Sequence, residues 1–446
     1  MDWKKLLSRE RIRESSSAAL TDRSSFERDY DRIIFSKPFR RLQKKTQVFP
    51  LPEHDFIHTR LTHSLETSSV GRSLGMYAGL TILERFPKLK NEFVAHDFAA
   101  IVAAAAVAHD LGNPPFGHSG EDAISDFFKS PEGEKLISDL NPLQKMDLQN
   151  FEGNAMGFRL LGYTLPGVSG NEGGLNLTCA TLGAFLKYPC EVMTNKLPGA
   201  SGKKYGFFQS QKELFKKVAD TLGMKRKEST QDTSAYYRHP LAFLVEAADD
   251  ISYLIMDLED GYNLKLIEEK VIKETFVNLL TKDYNKPVYD KIYDPREQVA
   301  FLRANAINSL IYQIKDVFEC NLTEIIEGKY DKCLVKDINK YNALQEMENI
   351  CREKVYRYRK VLEIEAAGFE VIGGLLHEFI NSLQGKTKKT EKIKCLLPSH
   401  YIGKNIGIPE QKYEAILQIV QFVAGMTDTF AIDTYRTIAG IRLPNY

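Results

Sequence analysis

The 446-residue chain can bury a large core, either as two or three domains or as one continuous helical body. Its 60 basic and 59 acidic residues leave a net charge of +1, which excludes a global field drawing it to nucleic acid or an anionic membrane, so any anion site must be local. The six cysteines are scattered without a C-x-x-C pair, which argues against a zinc ribbon or disulfide framework and suits a reducing cytoplasm.

The first residues, Met1-Asp-Trp-Lys-Lys-Leu-Leu-Ser-Arg-Glu10, are charged and lack the apolar core of a signal peptide, so a protein that is not exported is expected. Residues 1–29 read as a polar, Ser/Arg-rich segment. The folded body is expected from Tyr30, where apolar positions begin to recur at helical spacing. Asp97 is placed to cap a helix over Phe98–Ala108, ended by Gly112 and Pro114-Pro115. This is the longest apolar run, and it is too short to span a bilayer. It reads as a buried helix with His109 and Asp110 at its end.

The segment Gly162–Gly202, rich in Gly, Asn, Thr and Pro, reads as a long functional loop around a short helix near Ala180–Leu186. A helix is predicted from Pro240 to Gly261, with Leu244, Ala247, Ala248, Ile251, Leu254, Ile255 and Leu258 as its apolar stripe. Asp249, Tyr253 and Asp257 recur at four-residue spacing and share another face. Beyond Tyr262 the pattern continues as helices, without an internal repeat. The basic stretch Gln384–Lys394 reads as a solvated loop; its Gly385-Lys386-Thr387 does not end a P-loop, because Ile380 stands where the upstream glycine is required.

Two His-Asp dipeptides flank the apolar run Phe98–Ala108. His96-Asp97 lies at the polar start of a helix, where a capping role suffices. His109-Asp110 closes a buried helix and runs into Leu-Gly-Asn-Pro-Pro-Phe-Gly-His118-Ser-Gly-Glu121, a rigid turn with two more ionisable groups. Unpaired charge there is costly, and a divalent cation is a fitting partner for imidazoles and a carboxylate. Candidates for further ligands are His63, in Arg60-Leu-Thr-His63-Ser, and Asp249, in Ala248-Asp-Asp-Ile-Ser-Tyr253.

The order His, His-Asp, Asp resembles the metal-binding pattern of the HD superfamily. The blocks around His63, His109 to Glu121, Phe151-Glu-Gly-Asn-Ala155 and Ala248 to Tyr253 further resemble the deoxyguanosinetriphosphate triphosphohydrolase-like family. The likeness continues through Lys44-Lys-Thr-Gln47-Val-Phe-Pro, Gly174-Leu-Asn-Leu-Thr, Leu186-Lys-Tyr-Pro189 and Met426-Thr-Asp428, nearly the whole chain. Met156 departs from it, standing where glutamine is common.

The resemblance implies an all-α HD fold with additional C-terminal helices and at most minor β-hairpins, divided into a catalytic part over residues 30–265 and a helical region over 266–446 packing on it. It implies that His63, His109, Asp110 and Asp249 hold Mg²⁺, Mn²⁺ or another transition ion, which activates water and neutralises phosphoryl charge. The implied reaction splits a deoxynucleoside triphosphate at the α-phosphorus into a deoxynucleoside and triphosphate. His118 is then the general acid and Glu121 its orienting partner; Arg60 and Lys187 bind phosphate. Tyr253 excludes a ribose 2′-hydroxyl, Asp257 accepts the 3′-hydroxyl, and Gln47 lies near the sugar or base. A homo-oligomer, expected as a hexamer, and activation by a dNTP at a separate site also follow from the resemblance, as does a role in controlling dNTP pools. Two other readings stand beside this one: another HD phosphohydrolase acting on a different phosphate, and a nucleotide-sensing protein that binds single-stranded nucleic acid, against which the balanced charge speaks.

Overall fold

The computed structural model describes residues 1–13, 23–49, 57–162, 174–193, 197–227, 233–384, 387–398 and 411–442. Parts of the long loop expected over Gly162–Gly202 and of the basic stretch after Gln384 lie outside them. The architecture is all-α, as expected: among the described residues extended pairing is confined to isolated bridges such as Thr46 with Thr59 and Cys190 with Ala235.

Helix α1 (Ser25–Ile34) opens on a reciprocal cap between Ser24 and Glu27. Helices α2 (Arg60–Arg85) and α3 (Ala95–Ala108) form the centre. Gly71, Gly75 and Gly79 recur every four residues along α2 and face the alanines of α3. A Cβ on Gly75 would stand 2.8 Å from the Ala99 Cα and the Phe98 carbonyl oxygen, so only glycine allows this approach. Every side chain from Asp97 to Ala108 is buried, which explains why α3 is apolar all round.

Helix α3 starts two residues ahead of the expected cap. Val94 is the cap position, and Asp97 sits in the first turn, accepting from the Val94 N–H at 3.0 Å and the Ser24 hydroxyl at 2.7 Å. Described residues ahead of Tyr30 also belong to the body: Trp3, Leu6 and Leu7 are buried, and Arg11 pairs with buried Asp29 at 2.7 Å. Three apolar residues in a polar context are too few to register as a periodic signal.

Helices α4 (Gly117–Lys129), α5 (Cys179–Phe185) and α6 (Ala242–Asn263) complete the surroundings of the site. Beyond them, α7 (Pro295–Glu327) packs on α2, and α8 (Arg359–Gln384) packs on α4. The basic run taken for a loop contains a helix, α9 (Lys388–Leu396), because Thr387 caps it and Ile393 is buried beneath it. The bent pair α10 (Lys412–Ala424) and α11 (Asp428–Ile438) ends the described chain.

Two apolar cores result. Ile272, Leu310 and Leu344 join the one around α3, whereas Val371 to Ala431 build the other together with Ile124 and Phe128 of α4. The region after residue 265 therefore contributes to both cores. Among the described residues no single helix is long and apolar enough to cross a membrane.

Candidate active site

Three helices place the chemistry. Arg60 and His63 lie one turn apart at the start of α2, His109 and Asp110 follow the end of α3, and Asp249 and Tyr253 lie on α6. Their approach depends on Gly71, where a Cβ would lie 3.2 Å from Ala106 of α3 and 3.6 Å from Ala248 of α6. His63, His109 and Asp110 are buried and offer ligand atoms within 4.8 Å of one another. Asp249 joins them through Oδ1, 3.2 Å from Nε2 of both His63 and His109.

The hydrogen bonding of this cluster fits a metal ion. Nδ1 of His109 lies 2.7 Å from the Ala106 carbonyl, which only accepts, so the proton of a neutral ring sits on Nδ1 and Nε2 presents a lone pair. That lone pair faces Nε2 of His63 at 3.2 Å, the Asp249 carboxylate at 3.2 Å and the Asp110 carboxylate at 3.4 Å. Converging acceptors of this kind repel one another unless a cation lies among them. Burial disfavours the charged His109 ring, but Asp249 and Asp110 outweigh it and raise its pKa, the sign a cation-binding site produces.

Each carboxylate carries a cation on its outer side. Arg60 donates to Asp110 Oδ2 at 2.7 Å, and Lys187 pairs with Asp249 Oδ2. Burial opposes ionisation of Asp110, yet Arg60 and His109 hold its pKa down to about 2. Burial likewise opposes ionisation of Asp249, and Lys187 and His109 drive its pKa far below the usual range. Both carboxylates are therefore anionic at any physiological pH. The Asn113 amide also donates to Asp110 Oδ1.

The turn after Asp110 carries the second pair. Phe116 and Gly117 both adopt left-handed φ of 62°, which aims the first turn of α4 at the cluster. Gly112 lies so near the 153–157 backbone that a Cβ would stand 2.0 Å from the Gly153 carbonyl oxygen. His118 Nδ1 meets Glu121 Oε2 at 2.7 Å, and Glu121 Oε1 accepts from the Gly153 N–H at 2.6 Å. The Glu121 bond raises the His118 pKa above its ordinary value. Burial opposes ionisation of Glu121, but His118 and Lys204 lower its pKa. The pair thus sets a histidine of raised pKa against a buried carboxylate, with the His118 side chain 79% accessible.

All of this opens into one cavity of about 520 Å³. Gln47, Arg60, Lys187 and Tyr253 line it together with the cluster and the His118–Glu121 pair. Asp257 does not reach its wall: the carboxylate is buried behind Tyr253 and accepts from Tyr356 at 2.6 Å, and burial pushes its pKa up to about 8. The side-chain amide oxygen of Gln47 is buried and has no hydrogen-bond partner among the described residues.

The sequence matches an HD domain model over residues 60–151 and a phosphohydrolase-associated domain model over 339–437. A deoxyguanosinetriphosphate triphosphohydrolase-like protein of Synechocystis sp. is 42% identical, covering 99% of this chain and 100% of its own. The chain belongs to the deoxyguanosinetriphosphate triphosphohydrolase-like family. A Pseudomonas aeruginosa protein of the same description is 37% identical over the full length of both chains. A deoxyguanosinetriphosphate triphosphohydrolase of Cronobacter sakazakii is 30% identical over 93% of this chain and 94% of its own. The family is one of nucleotide triphosphate hydrolases.

In this deoxyguanosinetriphosphate triphosphohydrolase-like chain, several cavity residues escape sequence reasoning. Lys204 reaches in, 3.0 Å from Glu152 and 3.9 Å from Glu121. Tyr356 and Glu365 come from far downstream. Asn113 carries a signal in hindsight, since it lies inside the His-Asp turn; Lys204, Tyr356 and Glu365 carry none, because only tertiary packing brings them here. Met156, the departure from the family pattern, is buried in the second core.

Proposed function

We propose that this protein hydrolyses deoxynucleoside triphosphates to a deoxynucleoside and inorganic triphosphate. The observation that carries the reading is that the His/Asp cluster and the His118–Glu121 pair open into one cavity large enough for a nucleotide. His63, His109, Asp110 and Asp249 are the residues that would hold a divalent ion, Mg²⁺ or Mn²⁺. Such an ion supplies Lewis acidity toward a phosphate oxygen and acidifies a coordinated water.

The chain's own residues supply the rest. Arg60 and Lys187, fixed by the carboxylates they pair with, offer positive charge to the phosphates. Water adds to the α-phosphorus as the bond to the 5′-oxygen breaks, and that alkoxide is a poor leaving group unless protonated. His118 gives it the proton from Nε2, the ring nitrogen not engaged by Glu121. Buried Glu121 keeps the imidazolium charged and oriented. Tyr253, stacked on Tyr356 with ring centroids 6.0 Å apart, is the wall against which the sugar packs and where a 2′-hydroxyl would collide. Asp257, behind that wall, would accept the 3′-hydroxyl only once the Tyr356 hydroxyl moves aside.

Turnover of a dNTP in ¹⁸O-enriched water tests the site of attack. Label in the triphosphate and none in the deoxynucleoside is the expected outcome; label on the 5′-hydroxyl would rule out attack at phosphorus.

A further inference from the structure

Asp428 lies more than three hundred residues downstream of the catalytic turn, at the start of α11, and is 1% exposed. Its carboxylate does not serve its own helix, whose cap is Thr427 bonded to the Phe430 N–H. Oδ1 accepts from the Phe116 N–H at 3.1 Å, and Oδ2 accepts from the Thr46 N–H at 2.9 Å and from the Thr46 hydroxyl. Phe116 is the left-handed residue immediately before the turn of α4 that carries His118. Thr46 precedes Gln47 and bridges Thr59, next to Arg60.

A second tie joins the same three pieces. Lys45, 2% exposed, donates to the Asn113 carbonyl at 2.5 Å and the Ala424 carbonyl at 2.7 Å. The corner between α10 and α11 thus grips two cavity walls at once. A non-glycine residue held at positive φ is strained and persists only where its surroundings fix it. The N–H of Phe116 is the group through which that fixing can act, and Asp428 holds it.

We infer that Asp428 is a positioning residue for the reaction: it sets the Phe116–Gly117 turn, and through it the direction of His118, while locking the Thr46–Gln47 wall against the same carboxylate. Asp428 touches neither the proposed substrate nor the metal cluster, so its effect runs through geometry alone. The inference rests on the proposed function for its kinetic consequence but not for its structural one.

The test uses the full-length protein and the variants Asp428→Ala and Asp428→Asn. The His118 ring signal, identified by its loss in His118→Gln, is titrated by NMR. Turnover of a dNTP with Mn²⁺ is measured alongside. In Asp428→Ala, kcat is expected to fall on the order of 100-fold, the cost of a small misplacement of a catalytic group, with KM changing only a few-fold. The His118 pKa is expected to drop toward its ordinary value as the Glu121 bond loosens. Asp428→Asn, which keeps one carbonyl oxygen for Phe116, recovers part of both, and it carries the test alone if the alanine variant fails to fold. Folded variants with wild-type kcat and a wild-type His118 titration would overturn the inference. A wild-type protein that releases no triphosphate would defeat the proposed function instead, and the NMR titration would still decide the role of Asp428.

Discussion

Tyr356 donates its hydroxyl to Asp257 at 2.6 Å across 99 residues of chain, and its ring stacks on Tyr253 at an interplanar angle of 26°. A residue from the C-terminal region thereby fixes Tyr253, the tyrosine proposed to face the sugar. Replacing Tyr356 by Ala removes the support and is expected to cut the preference for dNTP over NTP about tenfold, roughly 1.4 kcal/mol. Tyr356→Phe keeps the ring and most of the preference. Competition assays with dGTP and GTP read the ratio; equal preference in wild type and alanine variant would remove Tyr253 support as the explanation.

The His118–Glu121 pair sets a pH limb. The acid form is the active one in the proposed reaction, and its pKa stands above the ordinary histidine value because of Glu121. Activity is therefore expected to decline as pH rises through that elevated pKa. In Glu121→Gln the largest raising contribution is lost, so the alkaline limb moves to lower pH. His118→Gln should lower kcat by about 10²–10⁴. A limb that stays in place in Glu121→Gln would count against this assignment.

His58 anchors the entry to α2. Burial disfavours its charge, but the bond to Asp260 at 2.7 Å and the Glu66 carboxylate 3.4 Å away raise its pKa from 6.5 to about 10. The folded state thus binds a proton more tightly than the unfolded one. This contribution to stability is full below pH 6.5 and is lost as pH rises through about 10. His58→Gln leaves Asp260, 1% exposed, without its charged partner, and should cost about 3 kcal/mol at pH 6. Urea denaturation across this range checks both the size and the slope; a mutational cost as large at high pH as at pH 6 would contradict the charge argument.

Gly75→Ala places a methyl group 2.8 Å from backbone atoms of α3, which cannot rotate away. The helices must separate, at a cost of about 3 kcal/mol. Because α2 and α3 carry His63 and His109, the variant should also weaken Mn²⁺ binding measured by calorimetry. An unchanged melting temperature would show that the glycine spacing is incidental.

Two helices of the site were legible in the sequence, for a physical reason: α3 is apolar on every side and α6 has a continuous stripe, so both announce themselves locally. His63, His109, Asp110, Asp249, His118 and Glu121 were legible as a set because they sit in short blocks that resemble the family; all but Asp249, which lies within α6, are close to a helix end. Boundaries were less so. The start of α3 at Ala95 was hidden because Asp97, a strong capping type, acts from within the first turn. The basic run after Gln384 hid α9, whose cap is Thr387 and whose buried side chain is Ile393. Lys204, Tyr356 and the Asp428 contacts were out of reach, since each depends on packing between segments far apart in the chain.

The central claim is tested most directly by product analysis: purified protein is incubated with each dNTP, singly and mixed, with Mn²⁺ or Mg²⁺, and products are resolved by anion exchange beside an Asp110→Ala control. Deoxynucleoside and triphosphate in equal amounts, absent from the control, are the predicted result. Orthophosphate or pyrophosphate in place of triphosphate, or no turnover of any dNTP mixture, would contradict it.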